Sequence, residues 1–500
     1  MKKFLAISIA LALTFGVTPS FAATPKAGAS CSKIGQKQVS SGKEYTCVSK
    51  GSKKVWNSGV VNALYRPKGY SGGRCESDPS VKGYATKLQE YLTSERRCIG
   101  AMKIVSASLP SQKPKSLISP DSALTNPELC KIENSPNSNS WKGFPAASQL
   151  SNFNLKRHPS PKTVIQVVPI YSSDAPAGKG SPGQDYRFYF DFIKKYFQYI
   201  DDTGGNFELR VPDRYLKFNN PIKPYGVQHG KDDDLSRKFI QDVITSVDSE
   251  FDFRQHNYTL VVVPAGTPSG VIGQQGFGRA ISNEGQITNL VVAQPATVSG
   301  PNNSVTPEMS QPTMWLHEFY HPGLNLGDNH ADDSRSYDDG RGMGDWGLMS
   351  RNNGDLLAWQ KWILGFTADS QIRCVDPKAE ATLNWIAPSS VKTKSDKLVV
   401  VPLSKSKAIV VESIRAVGLS YRYAKSSLGA LVYVVDSSDT RHEWGYTVMY
   451  PDSRRPNSGS RYLMEDAPLK VGESVTFEGV KITNVEWGEF GDVIKVEPVK

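Results

Sequence analysis

His317-Glu318-Phe319-Tyr320-His321 is the stretch on which the reading of this chain turns. On a helix, positions i and i+4 share a face, so both imidazoles reach one metal ion. Glu318 then stands beside them as a base for a metal-activated water, the arrangement hydrolytic zinc sites use. The chain holds only 7 histidines in 500 residues, which makes a chance match to this spacing rare. The plainer alternative is a surface helix with a histidine pair. Ser310 or Thr313 can cap the helix, Pro312 suits its first turn, and Pro322-Gly323 should end it. Two histidines do not complete a catalytic zinc site, so a third ligand must come from elsewhere. The next segment supplies candidates in Asp328, His330, Asp332, Asp333, Asp338 and Asp339. The density of aspartates there also makes Ca²⁺ a candidate cofactor beside Zn²⁺.

Working outward, residues 161–372 read as an α/β (α+β) domain. Buried-strand runs at 163–170, 258–263 and 287–293 and a short strand at 207–211 alternate with amphipathic helices at 185–200 and 232–250 and lead into the metal helix. The stripe Phe188, Phe192, Tyr196 and Tyr199 reads as core. Gly273, Gly276 and Gly278 lack the strand–loop–helix context and the Lys-Ser/Thr ending of a phosphate loop, so they read as a flexible loop near the cleft. His158, His229, His256 and His442 stand alone and read as surface or satisfied core residues. Residues 373–500 alternate β-branched runs with turns, at 398–401, 408–412, 430–435, 475–477, 480–485 and 493–499, predicting an all-β C-terminal domain of sandwich type.

The N-terminal side is organised differently. Met1-Lys2-Lys3, an apolar run and Ser20-Phe21-Ala22-Ala23 predict a secretory signal peptide over 1–23, and hence a secreted, extracellular protein. Residues 24–62 read as a small β-rich module stapled by Cys31–Cys47, with cell-wall association as its expected role. Residues 63–160 combine a helical pattern at 82–105 with a Pro/Ser/Asn-rich linker and suggest a propeptide-like region. Six cysteines without a CxxC pair favour disulfides over a thiolate metal site, and the pairing of Cys75, Cys98, Cys130 and Cys374 stays open. The net charge of +10 is scattered rather than clustered, so nucleic acid is not an expected partner. No later apolar run reaches the ~20 residues a membrane helix needs. A monomer acting on protein or peptide substrates is expected.

Two segments narrow the reading further: HEFYHPGLNLGDNH at 317–330 and GDWGLMSRNNGDLLAWQKWILGF at 344–366. Together they resemble the immune inhibitor A family of secreted bacterial zinc metalloproteases. The resemblance covers roughly residues 160–498, with weaker matches in the strands at 163–170 and 258–266 and in 428–436. It implies a metzincin-like catalytic fold in which Met349, in Trp346-Gly347-Leu348-Met349, is the Met-turn floor below the metal. By alignment it makes Asp328 the third ligand, with His330 as the alternative because imidazole is a good zinc ligand. The turn departs from the family pattern by one residue: Asn325 lies four and Asp328 seven positions after His321. Asn tolerates the left-handed conformation that glycine supplies in the family. The implied activity is a zinc metalloendopeptidase with Glu318 as general base and Tyr337 as a candidate oxyanion donor. The competing readings are a catalytically inactive metalloprotease-like surface or polymer-binding protein, and a zinc hydrolase for a non-peptide amide.

Overall fold

The computed structural model describes residues 25–40, 43–58, 60–61, 108–138, 140–146, 149, 162–228, 231, 233–268, 270–293, 312–321, 325–329, 342–344, 346–351, 355–420, 423, 427–440, 445–454, 464 and 466–499. The signal segment 1–23, the helical pattern at 82–105, Cys75, Cys98, His158, His229, His330, Tyr337, His442 and the aspartates at 332, 333, 338 and 339 lie outside these residues. The chain divides into two compact units, Met1–Tyr70 and Ser71–Lys500.

In the first unit, short strands β1 (Lys37–Ser40), β2 (Lys43–Lys50), β3 (Lys53–Trp56) and β4 (Val60–Val61) form one antiparallel sheet around β2. Among the described residues, Cys47 and Trp56 are its larger apolar side chains that are fully buried. So small a core needs a covalent tie, and Cys31–Cys47 supplies it as expected.

The second unit begins with β5 (Lys162–Tyr171), α1 (Arg187–Ile200), β6 (Asn206–Arg210), β7 (Leu216–Lys217), α2 (Asp234–Val247), β8 (Tyr258–Val262), β9 (Gln275–Ser282) and β10 (Gly285–Val292). The strand order is β6-β5-β8-β10-β9, with β7 paired to the end of β5; all pairs are parallel except β10 with β9. Parallel strands are covered on both faces, which is why their sequences read as continuous apolar runs. On one face Val168, Val261, Val263 and Val292 share a core with Phe239, Ile240, Val243 and Ile244 of α2. α2 starts where Asp233 and Ser236 cap one another reciprocally. Residues of the opposite parity face α1 and the metal helix, as the edge-on contact of Tyr258 with Phe319 records.

One expectation fails here. The glycine-rich stretch at 273–278 is not a flexible loop: from Gln275 onward it is strand β9. Glycine and glutamine carry little intrinsic strand preference, and what makes the strand is tertiary pairing with β10 across the two-residue connection Asn283-Glu284.

Helices α3 (Pro312–Tyr320), α4 (Leu348–Arg351) and α5 (Ala358–Ile363) follow. The β-rich region is then built from β11 (Ile372–Cys374), β12 (Thr382–Ile386), β13 (Leu398–Pro402), β14 (Lys407–Ile414), β15 (Gly429–Asp436), β16 (Tyr446–Val448), β17 (Ser474–Phe477), β18 (Val480–Gly488) and β19 (Gly491–Pro498). Two sheets result, β11-β13-β14-β15-β16 and β12-β19-β18-β17. Val399, Val411 and Val432 from the first meet Ile482, Ile494 and Val496 from the second in one core, which makes a sandwich.

The described part of the expected linker, 108–146, is a strap laid on this unit rather than a free spacer. Lys115 and Ser116 donate their backbone N–H groups to the Glu486 carboxylate, and Ser119 exchanges bonds with Leu383. Thr125 N–H donates to Cys374 O at 2.9 Å, and Cys130 is disulfide-bonded to Cys374. Its Pro/Ser/Asn composition mimics a linker because its order comes from partners distant in sequence. Among the described residues no helix is long and apolar enough to cross a membrane.

Candidate metal centre

α3 spans Pro312–Tyr320, with Thr313 within the helical span, and Ser310 lies outside the described residues. The helix is buried almost all round. Trp315 packs among Tyr186, Tyr189 and Phe190, and Leu316, Phe319 and Tyr320 are also fully enclosed. This packing fixes the helix rotation, and therefore the direction in which His317 and His321 project.

Each imidazole is then set by its own carbonyl. His317 Nδ1 lies 2.9 Å from Leu348 O, and His321 Nδ1 lies 2.8 Å from Leu326 O. A carbonyl oxygen only accepts, so Nδ1 carries a proton in both rings, which leaves each Nε2 as the atom for a ligand. The two Nε2 atoms are 3.0 Å apart. Asp328 Oδ1 lies 3.0 Å from His317 Nε2 and 3.5 Å from His321 Nε2. Among the described residues, His317, His321 and Asp328 are the one group of this kind whose donor atoms converge.

These separations permit a test of fit. Tetrahedral zinc with bonds of about 2.0–2.1 Å needs ligand atoms roughly 3.3 Å apart. The observed triangle is close to that, and the two-imidazole, one-carboxylate donor set suits the ion. Burial opposes charge on His321, but the Asp328 carboxylate outweighs it and raises the ring to about 9. Burial likewise opposes charge on Asp328, yet its contacts with the His317 and His321 rings outweigh that and hold it well below the usual carboxylate range.

The turn that delivers Asp328 is long but closed. Asn325 adopts φ 51°, the left-handed conformation expected of it, and its N–H donates to His321 O at 3.1 Å. Leu326 N–H reaches back to Tyr320 O at 2.9 Å. From outside, Trp141 of the strap donates its N–H to Asn325 O at 2.7 Å, and Trp359 of α5 donates its indole N–H to Lys142 O.

The Trp346–Met349 segment braces the other side. Leu348 O holds His317, while Met349 O accepts the N–H of Asn329, the residue after Asp328. Met349 itself is fully buried. Gly347 has φ +87°, and a Cβ there would meet the Leu357 side chain at 3.1 Å, so both conformation and space call for glycine. The Trp346 indole is tied to Met464 O at 2.8 Å.

Glu318 is 4% exposed, and its Oε1 accepts a hydrogen bond from Gln274 Nε2 at 3.1 Å. Sequence reasoning missed Gln274; its one signal is a polar residue within the glycine-rich stretch 273–278 expected near the cleft. His256 contacts Thr259 Oγ1, and burial lowers it to about 4, so it is a neutral packed residue as expected. The structure thus brings together His317, Glu318, His321 and Asp328, with Met349 in the adjoining turn.

Comparison of the chain with protein-family models, with curated proteins and with solved structures returned no match.

Proposed function

We propose that this chain is a secreted zinc endopeptidase of metzincin-like build, with His317, His321 and Asp328 as metal ligands and Glu318 as general base. The observation that carries the reading is the convergence of Nε2, Nε2 and Oδ1 beside a buried glutamate. A zinc ion bound there supplies a water of lowered pKa and a Lewis acid for a carbonyl. Glu318 takes the proton of the attacking water and returns it to the leaving amine, so one water and one peptide bond become a carboxylic acid and an amine. The Nδ1 bonds to Leu348 O and Leu326 O keep the two imidazoles oriented throughout.

Three further features support the class. The sheet ends in an antiparallel edge strand, β9, beside the site, and an edge strand suits an extended peptide. The Trp346–Met349 turn is bonded to His317 and Asn329 as a Met-turn would be. Two disulfides suit an oxidising compartment.

Glu318→Ala decides it. In a denatured-protein cleavage assay, kcat falls by about 10²–10⁴-fold while zinc content is retained. Unchanged cleavage by that variant would sink the proposal. A folded wild-type protein that binds no zinc would favour the polymer-binding reading instead.

A further inference from the structure

Gln274 has no part in the scheme above, yet it touches the base. It is 2% exposed and lies immediately before the edge strand. Its backbone is held on both sides: Gly273 N–H donates to Val227 O at 2.7 Å, and Gln275 is in register with Val292 of β10. The side chain is therefore presented from a rigid frame, and its amide donates to Glu318 Oε1 at 3.1 Å. α3, which carries Glu318, packs against both β9 and β10, so base and amide belong to one packed layer.

The residue type fits the task. A general base must hold one orientation through many turnovers without being neutralised. A lysine or arginine at this distance would form an ion pair and weaken the base. A neutral amide orients the carboxyl group through a hydrogen bond and leaves its charge in place. Asparagine would be one methylene short of the reach.

We propose, resting on the endopeptidase reading, that Gln274 is the positioning residue for Glu318. Its amide donates to Oε1 and so fixes the orientation of the carboxylate. A buried glutamine that merely satisfies its own hydrogen bonds would affect folding; a positioning residue affects turnover.

The test uses the full secreted chain and a quenched fluorescent peptide copied from a wild-type cleavage site in a denatured protein. Gln274→Met keeps length and bulk but removes the donor. The expected result is a kcat lower by about 10–100-fold with KM within about twofold, and zinc content and Tm as in wild type. Gln274→Glu sets carboxyl against carboxyl and loses at least as much. A Gln274→Met protein with kcat within about twofold of wild type overturns the assignment, as does a loss in both variants that follows a loss of zinc or of Tm. Where Gln274→Met fails to fold, Gln274→Glu decides alone, and wild-type kcat in it overturns the assignment. A wild-type protein that cleaves no substrate overturns the endopeptidase reading itself; an active wild type beside an equally active Gln274→Met overturns only the role of Gln274.

Discussion

The sandwich and the α/β layer each bury a polar cluster, and the two clusters are completed in opposite ways. In the sandwich, Arg415 and Asp492 are essentially unexposed and pair at 2.9 Å. The guanidinium also donates to Gly488 O, Gly491 O and Ile414 O, while Asp492 accepts from Ser413 and Asn484. Opposite charges of the protein itself close that cluster. The site in the α/β layer gathers two imidazoles around Asp328, with Glu318 beside them. A cluster completed by the chain's own charges is architecture. One whose donor atoms converge at the separations a metal needs has room for chemistry.

Different changes break each side of this contrast. Beyond Glu318→Ala, the largest expected effect is that of Asp328→Ala, which takes away a donor atom. Its zinc affinity falls by on the order of 100-fold or more, since even indirect partners of a metal contribute about 10–100-fold. Zinc titration followed by metal analysis reads this directly. Retention of wild-type affinity would mean that a ligand outside the described residues, such as His330, is the third donor.

Arg415→Met addresses the closed cluster. It leaves Asp492 buried without its cation, and breaking such a pair costs about 3–5 kcal/mol. Denaturant unfolding should show that loss, while kcat of the folded fraction stays as in wild type. A loss of turnover without loss of stability would erase the distinction drawn between the two clusters.

The smallest effect concerns the turn between His321 and Asp328. At φ 51° asparagine is tolerated and glycine is unstrained. Asn325→Gly should therefore change unfolding free energy by less than about 1 kcal/mol and leave zinc affinity unchanged. A marked drop in zinc affinity would show that the Asn325 side chain, and not only its backbone, shapes the turn.

Much of this was legible in the chain itself. The runs that became β5, β8, β13, β14 and β15 are rich in Val and Ile because their strands are buried on both faces, and a locally apolar run records that burial. Strand β9 left no such record, because Gln275, Gly276 and Gly278 become a strand only by pairing with β10. The strap was hidden for a similar reason. Its order depends on Cys374, Leu383, Glu486 and Asn325, all more than 180 positions away along the chain. Composition cannot register a partner that distant.

The pentapeptide at 317–321 determined by itself which side chains share a helical face, since that follows from 3.6 residues per turn. It also determined the chemistry on offer: two imidazoles and a carboxyl group. The fold decided everything that needed a second point of attachment. The Leu348 and Leu326 carbonyls settled which ring nitrogens point inward. The left-handed Asn325, held from behind by Trp141, carried Asp328 to the histidines, and Gln274 was brought to Glu318 from the start of the edge strand. Helix periodicity is local and can be read along the chain, whereas convergence within about 3–3.5 Å is a property of packing.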